Sequence, residues 1–140
     1  MKIINGRDYK NNISDEKGYP VYGSGGFMNV YADNYFVSEN STMIGRKGTI
    51  DKPYLLKEKA WNVDTVFGVE PNSSLLNPIY FYYRTTFYDL LSLSTSTTLP
   101  SMTKTALFTL KIGIPPMNIQ NEFAEFVKLI DKSKFTNLLF

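Results

Sequence analysis

The chain has 140 residues, a formal net charge of +2, 43% hydrophobic and 15% aromatic residues. This length suits one domain that buries roughly two-thirds of its unfolded surface, and the composition is too apolar for a disordered chain. The small net charge argues against a strongly basic surface that binds nucleic acid regardless of sequence, although one face can still be basic. Ten tyrosines suit a surface that makes contacts, because each ring combines an apolar body with a polar tip.

The sequence contains no cysteine and no histidine. Disulfide frameworks, zinc sites and the usual histidine-based catalytic triads are therefore excluded. The first residues, Met1 to Gly6, lack an apolar core of signal-peptide length, and no window approaches the ~20 apolar residues that a membrane span needs. We expect a cytoplasmic protein with no metal, no cofactor and no membrane partner.

The first part of the chain alternates short apolar runs with glycine-rich turns. Residues 6–18 are polar and predict a loop, 19–22 predict a strand, and 23–26 predict a turn with a free backbone. Residues 27–36 predict another strand and turn, and 41–44 form the apolar run that follows.

Two cations come next, Arg46 and Lys47, and they stand between Gly45 and Gly48. Glycine accepts positive φ and lets the backbone approach another surface, so the pattern predicts a tight loop with both charges outward. Such a loop suits an anion. A solvated turn with two surface cations explains the same four residues, and both interpretations remain open at this point.

Two more strands are expected after the basic loop. Residues 53–56 predict a short one, and Trp61 to Val69 alternates well enough to predict a half-buried strand with Trp61, Val63, Thr65 and Phe67 on one face. Short strands separated by turns every ten residues or so favour an antiparallel sheet or a small barrel over βαβ units.

The first helix is expected at Asn77-Pro78, since an asparagine cap followed by proline is a typical helix start. Apolar residues three or four apart extend this prediction to about Leu91. Residues 92–98 are almost all Ser and Thr and predict a hydrogen-bonding loop.

The last part of the chain predicts three elements. Thr103 can cap a single helical turn through Leu107, and residues 108–114 alternate as a strand does. After Pro115-Pro116, Asn118 is expected to cap a second helix with the apolar stripe Ile119, Phe123, Phe126, Val127 and Ile130. This stripe either packs on the protein's own sheet or pairs with another copy or another protein.

Five segments, taken in order and spacing, resemble a target-recognition domain of the specificity subunit of type I restriction-modification systems. They are residues 19–26, 44–49, 61–65, 97–103 and 114–120. The resemblance implies an α+β fold, which we expect to be a small twisted antiparallel or mixed sheet, or a partial barrel, with a few helices and a C-terminal spacer helix. It also implies a division into a DNA target-recognition domain, 1–116, and the start of a conserved spacer and dimerisation helix, 117–140.

The function that this resemblance implies is sequence-specific recognition of double-stranded DNA. Such a domain reads one half of a bipartite target for a modification (methyltransferase) subunit and, indirectly, a restriction subunit. Family members usually have further residues before Gly6 and a longer spacer helix, so we expect a half-subunit or a fragment, with a possible homodimer through the last helix. The alternative is an interaction module that binds no DNA and only dimerises or docks a methyltransferase through that helix.

The resemblance does not show which residues contact DNA, so we rank them by chemistry. Arg46 and Lys47 can neutralise phosphate or bind guanine, and Lys17 and Lys104 are further phosphate candidates. Short-range donors near the backbone or base edges are Tyr22, Ser24, Thr95, Ser96 and Thr97. For each of these residues, an ordinary surface position or a structural hydrogen bond is the alternative.

Enzymatic interpretations find little support in the sequence. Asn77-Pro78-Ile79-Tyr80 is close to the Asn-Pro-Pro-Tyr motif of amino-methyltransferases, but no glycine-rich cofactor loop accompanies it, and a helix cap explains it better. A nuclease carboxylate pair drawn from Asp51, Glu58, Asp64 and Glu70 has no distinctive spacing. We therefore expect no catalytic residues in this chain.

Overall fold

The computed structural model describes residues 1–96 and 98–139, with side chains described as far as residue 132. Over these residues the chain forms seven short strands, three α-helices and one 3-10 turn. The strands are β1 (Lys2–Ile4), β2 (Tyr19–Gly23), β3 (Gly26–Ala32), β4 (Thr42–Gly45), β5 (Tyr54–Leu55), β6 (Trp61–Asn62) and β7 (Val66–Glu70). The helices are α1 (Pro78–Thr86), α2 (Lys104–Leu107) and α3 (Met117–Leu139), and the 3-10 turn is Leu90–Leu93.

The strands form two sheets. The first has the order β1-β7-β4-β5 and is antiparallel throughout. The second has the order β3-β2-β6, in which β2 is antiparallel to β3 and parallel to β6. The predicted α+β class with antiparallel or mixed strands and a C-terminal helix is confirmed, and the strands divide between two sheets.

The single half-buried strand predicted for residues 61–69 is wrong. The segment breaks at a turn, so that β6 belongs to one sheet and β7 to the other. Both faces of β7 are buried, because Val66 packs into one apolar cluster while Phe67 and Val69 pack into another. A strand covered on both faces does not show the exposed side that period-two alternation predicts.

Asn62 joins the two sheets. Its side chain is fully buried, and its Nδ2 donates to Ile4 O and to Val66 O, at 3.1 Å each. Ile4 and Val66 belong to the first sheet, whereas Asn62 belongs to the second. One amide therefore fixes the turn between β6 and β7 against both layers.

The cap of α1 is as predicted, since Asn77 Oδ1 accepts from Ile79 N at 2.9 Å and from Tyr80 N at 3.4 Å. The helix ends at Thr86, five residues before the predicted end at Leu91. The hydroxyls of Thr85 and Thr86 bind the carbonyls three residues earlier, which is a local alternative to helix continuation.

The predicted cap of α2 is confirmed, because Thr103 Oγ1 accepts from Ala106 N at 3.1 Å. The predicted strand at 108–114 is wrong, since these residues have no regular structure. The amides of Thr109 and Leu110 bond back to Ala106 O and Leu107 O and are not available to a neighbouring strand. The alternation instead reflects two side chains, Leu110 and Ile112, that pack on the core.

Helix α3 begins at Met117, so Asn118 lies inside the helix and is not its cap. The Pro116 carbonyl accepts from Ile119 N and Gln120 N at 3.0 and 3.2 Å, so the first turn forms directly on the Pro-Pro segment. Over the part of the chain described here, we find no helix that combines the length and the apolar character of a membrane span.

The described part of α3 packs against α1, not against a sheet. Gln120 is fully buried, and its amide accepts from Asn77 N at 2.8 Å and donates to Leu75 O and Pro115 O at 3.0 and 2.8 Å. Phe123 places its ring 5.7 Å from the ring of Tyr83. The predicted stripe is thus split: Phe123 and Val127 are half-buried, while Ile119, Phe126 and Ile130 are exposed.

We predict that Asn62→Ala lowers the free energy of unfolding by roughly 2–4 kcal/mol, because it removes two buried hydrogen bonds and leaves a cavity. Chemical denaturation of the two proteins measures the difference. The matched control is Thr42→Val, since Thr42 is also fully buried but its hydroxyl makes no hydrogen bond with the described residues. This control should stay within about 1 kcal/mol of the parent. Equal losses in the two variants would contradict the role given to Asn62.

Candidate nucleic-acid interface

The basic loop is held on one side by the turn between β6 and β7. Arg46 N and Lys47 N both donate to Thr65 O, at 2.7 and 3.3 Å. Arg46 Nη1 also lies 3.4 Å from Asp64 O, a long contact on an exposed side chain. The backbone of the loop is therefore fixed while its charged groups remain exposed to solvent.

The other side of the loop is held by the segment before α2. Met102 N donates to Arg46 O at 2.8 Å, and Gly48 N donates to Pro100 O at 3.2 Å. Lys47 and Ser101 form an isolated antiparallel bridge. The loop is therefore hydrogen-bonded on one side to the β6–β7 turn and on the other to the segment before α2.

Both glycines of the loop are required by its backbone. A Cβ atom on Gly45 would collide with Thr49 O, and Gly48 has a φ of +85°, in the region that favours glycine. The sequence-based prediction of a tight loop with outward charges matches this geometry.

Three cations line one open cleft of about 330 Å³ beside the loop: Arg46, Lys47 and Lys104. The rest of its wall is formed by Asn5, Gly6, Phe67, Ser101, Met102 and Thr103. Among the described side chains, no carboxylate forms an ion pair with any of these three cations. The cleft can therefore bind an anion without first breaking an internal salt bridge.

Ser24 lies next to the basic loop, because a methyl group placed on Gly48 would lie 3.6 Å from Ser24 Oγ. Its backbone N donates to Thr65 Oγ1 at 3.3 Å. Lys17 is exposed but does not line the cleft. Sequence reasoning grouped Lys17 with Lys104 by charge alone, and the fold brings only Lys104 to the loop.

Tyr22 takes part in an aromatic row on the β2–β3 hairpin, with its ring 5.8 Å from that of Phe27 and 5.7 Å from that of Tyr54. Burial, followed by the nearby Glu58 carboxylate and the Tyr31 phenol, raises the pKa of Tyr22. Burial and then Tyr22 raise the pKa of Tyr54, whose hydroxyl donates to Gly23 O. Both phenols therefore remain neutral donors at physiological pH.

The hydroxyl-rich loop mostly bonds to itself. Ser94 Oγ accepts from Ser101 N at 3.1 Å, Thr95 N donates to Ser101 O at 3.1 Å, and Ser96 Oγ accepts from Leu99 N at 3.4 Å. Ser96 therefore uses its hydroxyl in the loop, whereas the Thr95 side chain is exposed. The third predicted donor of this loop, Thr97, lies outside the described residues.

Sequence reasoning missed the contribution of Asn5 and Gly6, which follow β1 and line the cleft. Gly6 lies against the Val63 carbonyl so closely that any side chain would collide with it. In the sequence, the close approach of this segment is indicated by one glycine, Gly6, at the start of an otherwise polar stretch. Among the described side chains, no group of three or more acidic residues is close enough together to hold a metal ion.

The sequence matches the family model described as "Type I restriction modification DNA specificity domain" over residues 1–138. Because the match covers almost the whole chain, the protein belongs to this family of DNA specificity domains. No curated protein matches the sequence.

Solved structures share the fold. The S subunit of a type I restriction-modification system from M. genitalium superposes with a TM-score of 0.77 at 17% identity, over 94% of this chain and 36% of its own. A structure described as the structural basis of complex assembly and conformational transition of the type I R-M system gives a TM-score of 0.74 at 15% identity, over 94% of this chain and 36% of that chain. The HsdS subunit of Thermoanaerobacter tengcongensis gives a TM-score of 0.73 at 14% identity, over 94% of this chain and 35% of that chain. The present chain thus spans about a third of the length of each structure.

We predict that Gly45→Ala destabilises the protein by ~1–3 kcal/mol, because its Cβ must push the Thr49 backbone aside. Gly113→Ala is the matched control, since an added Cβ there meets nothing within 4 Å, and it should change stability by less than about 0.5 kcal/mol. Thermal and urea unfolding measure both effects. Similar stabilities for the two variants would show that the loop is not confined as described.

Proposed function

We propose that this chain is a half-subunit or fragment of a type I specificity subunit that reads one half of a bipartite DNA target. The observation that carries this proposal is the cleft lined by Arg46, Lys47 and Lys104, none of which forms an ion pair with the described residues, on the fold of a DNA specificity domain. Catalysis would then belong to the modification and restriction subunits with which the chain assembles, on DNA in the cytoplasm.

Phosphate binding suits the geometry of the basic loop. Cations that replace condensed counterions on DNA release those ions to solvent, which favours binding most at low salt. The backbone bonds to Thr65 and Pro100 fix the loop before DNA arrives, so only the exposed side chains of Arg46 and Lys47 must be ordered on binding. The cleft would therefore position the domain on the duplex with little rearrangement.

A single domain of this kind offers limited discrimination. Each good bidentate base contact gives ~1–3 kcal/mol, and a half-site of three or four base pairs recurs often in any genome. Joining two domains makes the second binding event intramolecular and multiplies the discrimination. The solved structures are nearly three times as long as the aligned region, which leaves room for a second unit in each of them.

We expect Arg46→Ala combined with Lys47→Ala to weaken duplex binding by the full chain regardless of base sequence. The slope of log K against log salt should fall in magnitude by about 2, because each phosphate contact contributes ~0.9. Fluorescence anisotropy with labelled duplexes at several salt concentrations provides the measurement.

The matched control for this double variant is Arg84→Ala combined with Lys128→Ala. It removes the same two charge types from α1 and α3, away from the cleft. This control should leave the salt slope nearly unchanged. If both double variants lower affinity and slope equally, only net charge matters and the cleft is not the contact surface.

A second role is favoured by the outer side of α3. Ile119, Phe126 and Ile130 are 49%, 60% and 38% exposed, and they lie on one side of the helix at spacings of seven and four residues. We propose that this stripe pairs with α3 of a second copy, as a spacer helix would, so that two target-reading domains are held apart. Residues 1–116 would then form the reading domain and 117–140 the start of the spacer.

For this pairing we expect the chain to dimerise at micromolar concentrations and Phe126→Glu to remain monomeric, because a carboxylate would be buried between two apolar stripes. Lys128→Glu is the control, since its side chain is 65% exposed and lies off the stripe. Light scattering over a concentration series distinguishes the two. A parent chain that remains monomeric throughout would rule out the pairing.

A further inference from the structure

The β2–β3 hairpin has an irregular backbone near its end. Tyr22 pairs with Phe27 and Pro20 pairs with Tyr31, so that one residue of β2, Val21, stands opposite three residues of β3. The middle residue of those three, Asn29, has a φ of +58°, which only a few non-glycine residues adopt. Bulges of this kind change the direction in which a side chain points.

The bulge leaves three consecutive side chains exposed: Phe27, Met28 and Asn29. The two apolar ones are each 41% exposed, although neighbours along a strand normally point to opposite faces. Beside them, a Cβ atom on Gly25 or Gly26 would meet nothing within 4 Å. The hairpin turn is therefore uncovered, and the side chains of residues 27–29 that follow it remain partly open to solvent.

Asn29 suits the left-handed backbone of the bulge, but its side chain is not used by the described residues. Its side-chain amide makes no hydrogen bond to any of them, whereas the Asn62 Nδ2 donates twice and the Asn77 side chain both caps α1 and binds Asn121. An exposed asparagine in a left-handed conformation with an unused amide is an unusual residue to place on a strand.

The hairpin end and the basic loop are attached to the same residue. Thr65 O holds Arg46 N and Lys47 N, and Thr65 Oγ1 holds Ser24 N in the turn of the hairpin. The hairpin turn is therefore held beside the loop cations through one shared residue, so a duplex that the cations bind also lies next to the hairpin. A two-stranded ribbon fits the major groove of B-DNA.

We infer that the bulged hairpin end, residues 27–29, enters the major groove and reads bases, while the basic loop supplies contacts that are independent of sequence. The inference rests on the proposed function. An asparagine amide forms a bidentate pair with adenine N6 and N7, and an apolar side chain such as Met28 suits the thymine methyl group. The structure thereby assigns Asn29 and Met28 as specificity-determining residues at A·T pairs.

The test is selection of duplexes from a pool with a randomised centre, using the immobilised full chain at low salt. Asn29→Gly removes the amide and suits the left-handed backbone, so the fold is retained. Asn40→Gly is the matched control, because Asn40 is also exposed, has a φ of +68° and lies beside the carboxylates of Glu39 and Glu70.

We expect the parent chain and Asn40→Gly to enrich the same short motif. Asn29→Gly should lose its preference at one A·T pair by roughly tenfold or more, as the loss of one bidentate contact implies, with an unchanged salt slope on random duplex. The parent chain should prefer a duplex with thymine over the same duplex with uracil, because uracil lacks the methyl group. Met28→Ala should lose this preference.

Three outcomes would overturn the inference. If Asn29→Gly enriches the parent motif with equal preference, the hairpin does not read bases, and the proposed function stands. Salt-dependent binding without any enriched sequence would likewise remove base reading by this hairpin and leave the phosphate contacts intact. If the parent chain binds no duplex at all, the proposed function fails, and the inference fails with it.

Discussion

The turn between β6 and β7 connects the core to the surface that we propose contacts DNA. Asn62, on β6 of the second sheet, anchors its beginning to the first sheet through two hydrogen bonds from one amide. Thr65 then holds the basic loop through its carbonyl and the hairpin turn through its hydroxyl. The turn therefore fixes the positions of the basic loop and the hairpin relative to the core.

The backbone of this surface is fixed by its own hydrogen bonds, and the charged groups of Arg46 and Lys47 stay exposed, with one long contact from Arg46 Nη1 to Asp64 O. Gly45 and Gly48 allow the loop to lie between two supports, so the positions of Arg46 and Lys47 do not depend on the chemistry of their own side chains. The side chains can therefore be replaced without loss of the fold.

The sequence alone predicted elements whose cause is local. Asn77 and Thr103 cap helices as expected, since a cap needs only residues a few positions away. The strands at 61–69 and 108–114 were mispredicted, because both depend on which distant residues supply a neighbour or a second covering layer. Of the predicted cations, Arg46, Lys47 and Lys104 meet in one cleft and Lys17 does not, a distinction that requires the fold. Family resemblance came from short motifs, and the structure explains several of them: Asn62, Thr65 and Gln120 hold segments together through hydrogen bonds.

An NMR titration of the isotopically labelled full chain with duplex DNA at low salt would locate the residues that contact DNA. We expect the largest amide shifts at residues 45–48 and 101–104 and in the hairpin at residues 24–29, and we expect added salt to reverse them. Shifts confined to α3, or no shifts at millimolar DNA, would contradict a DNA-reading surface built on this turn.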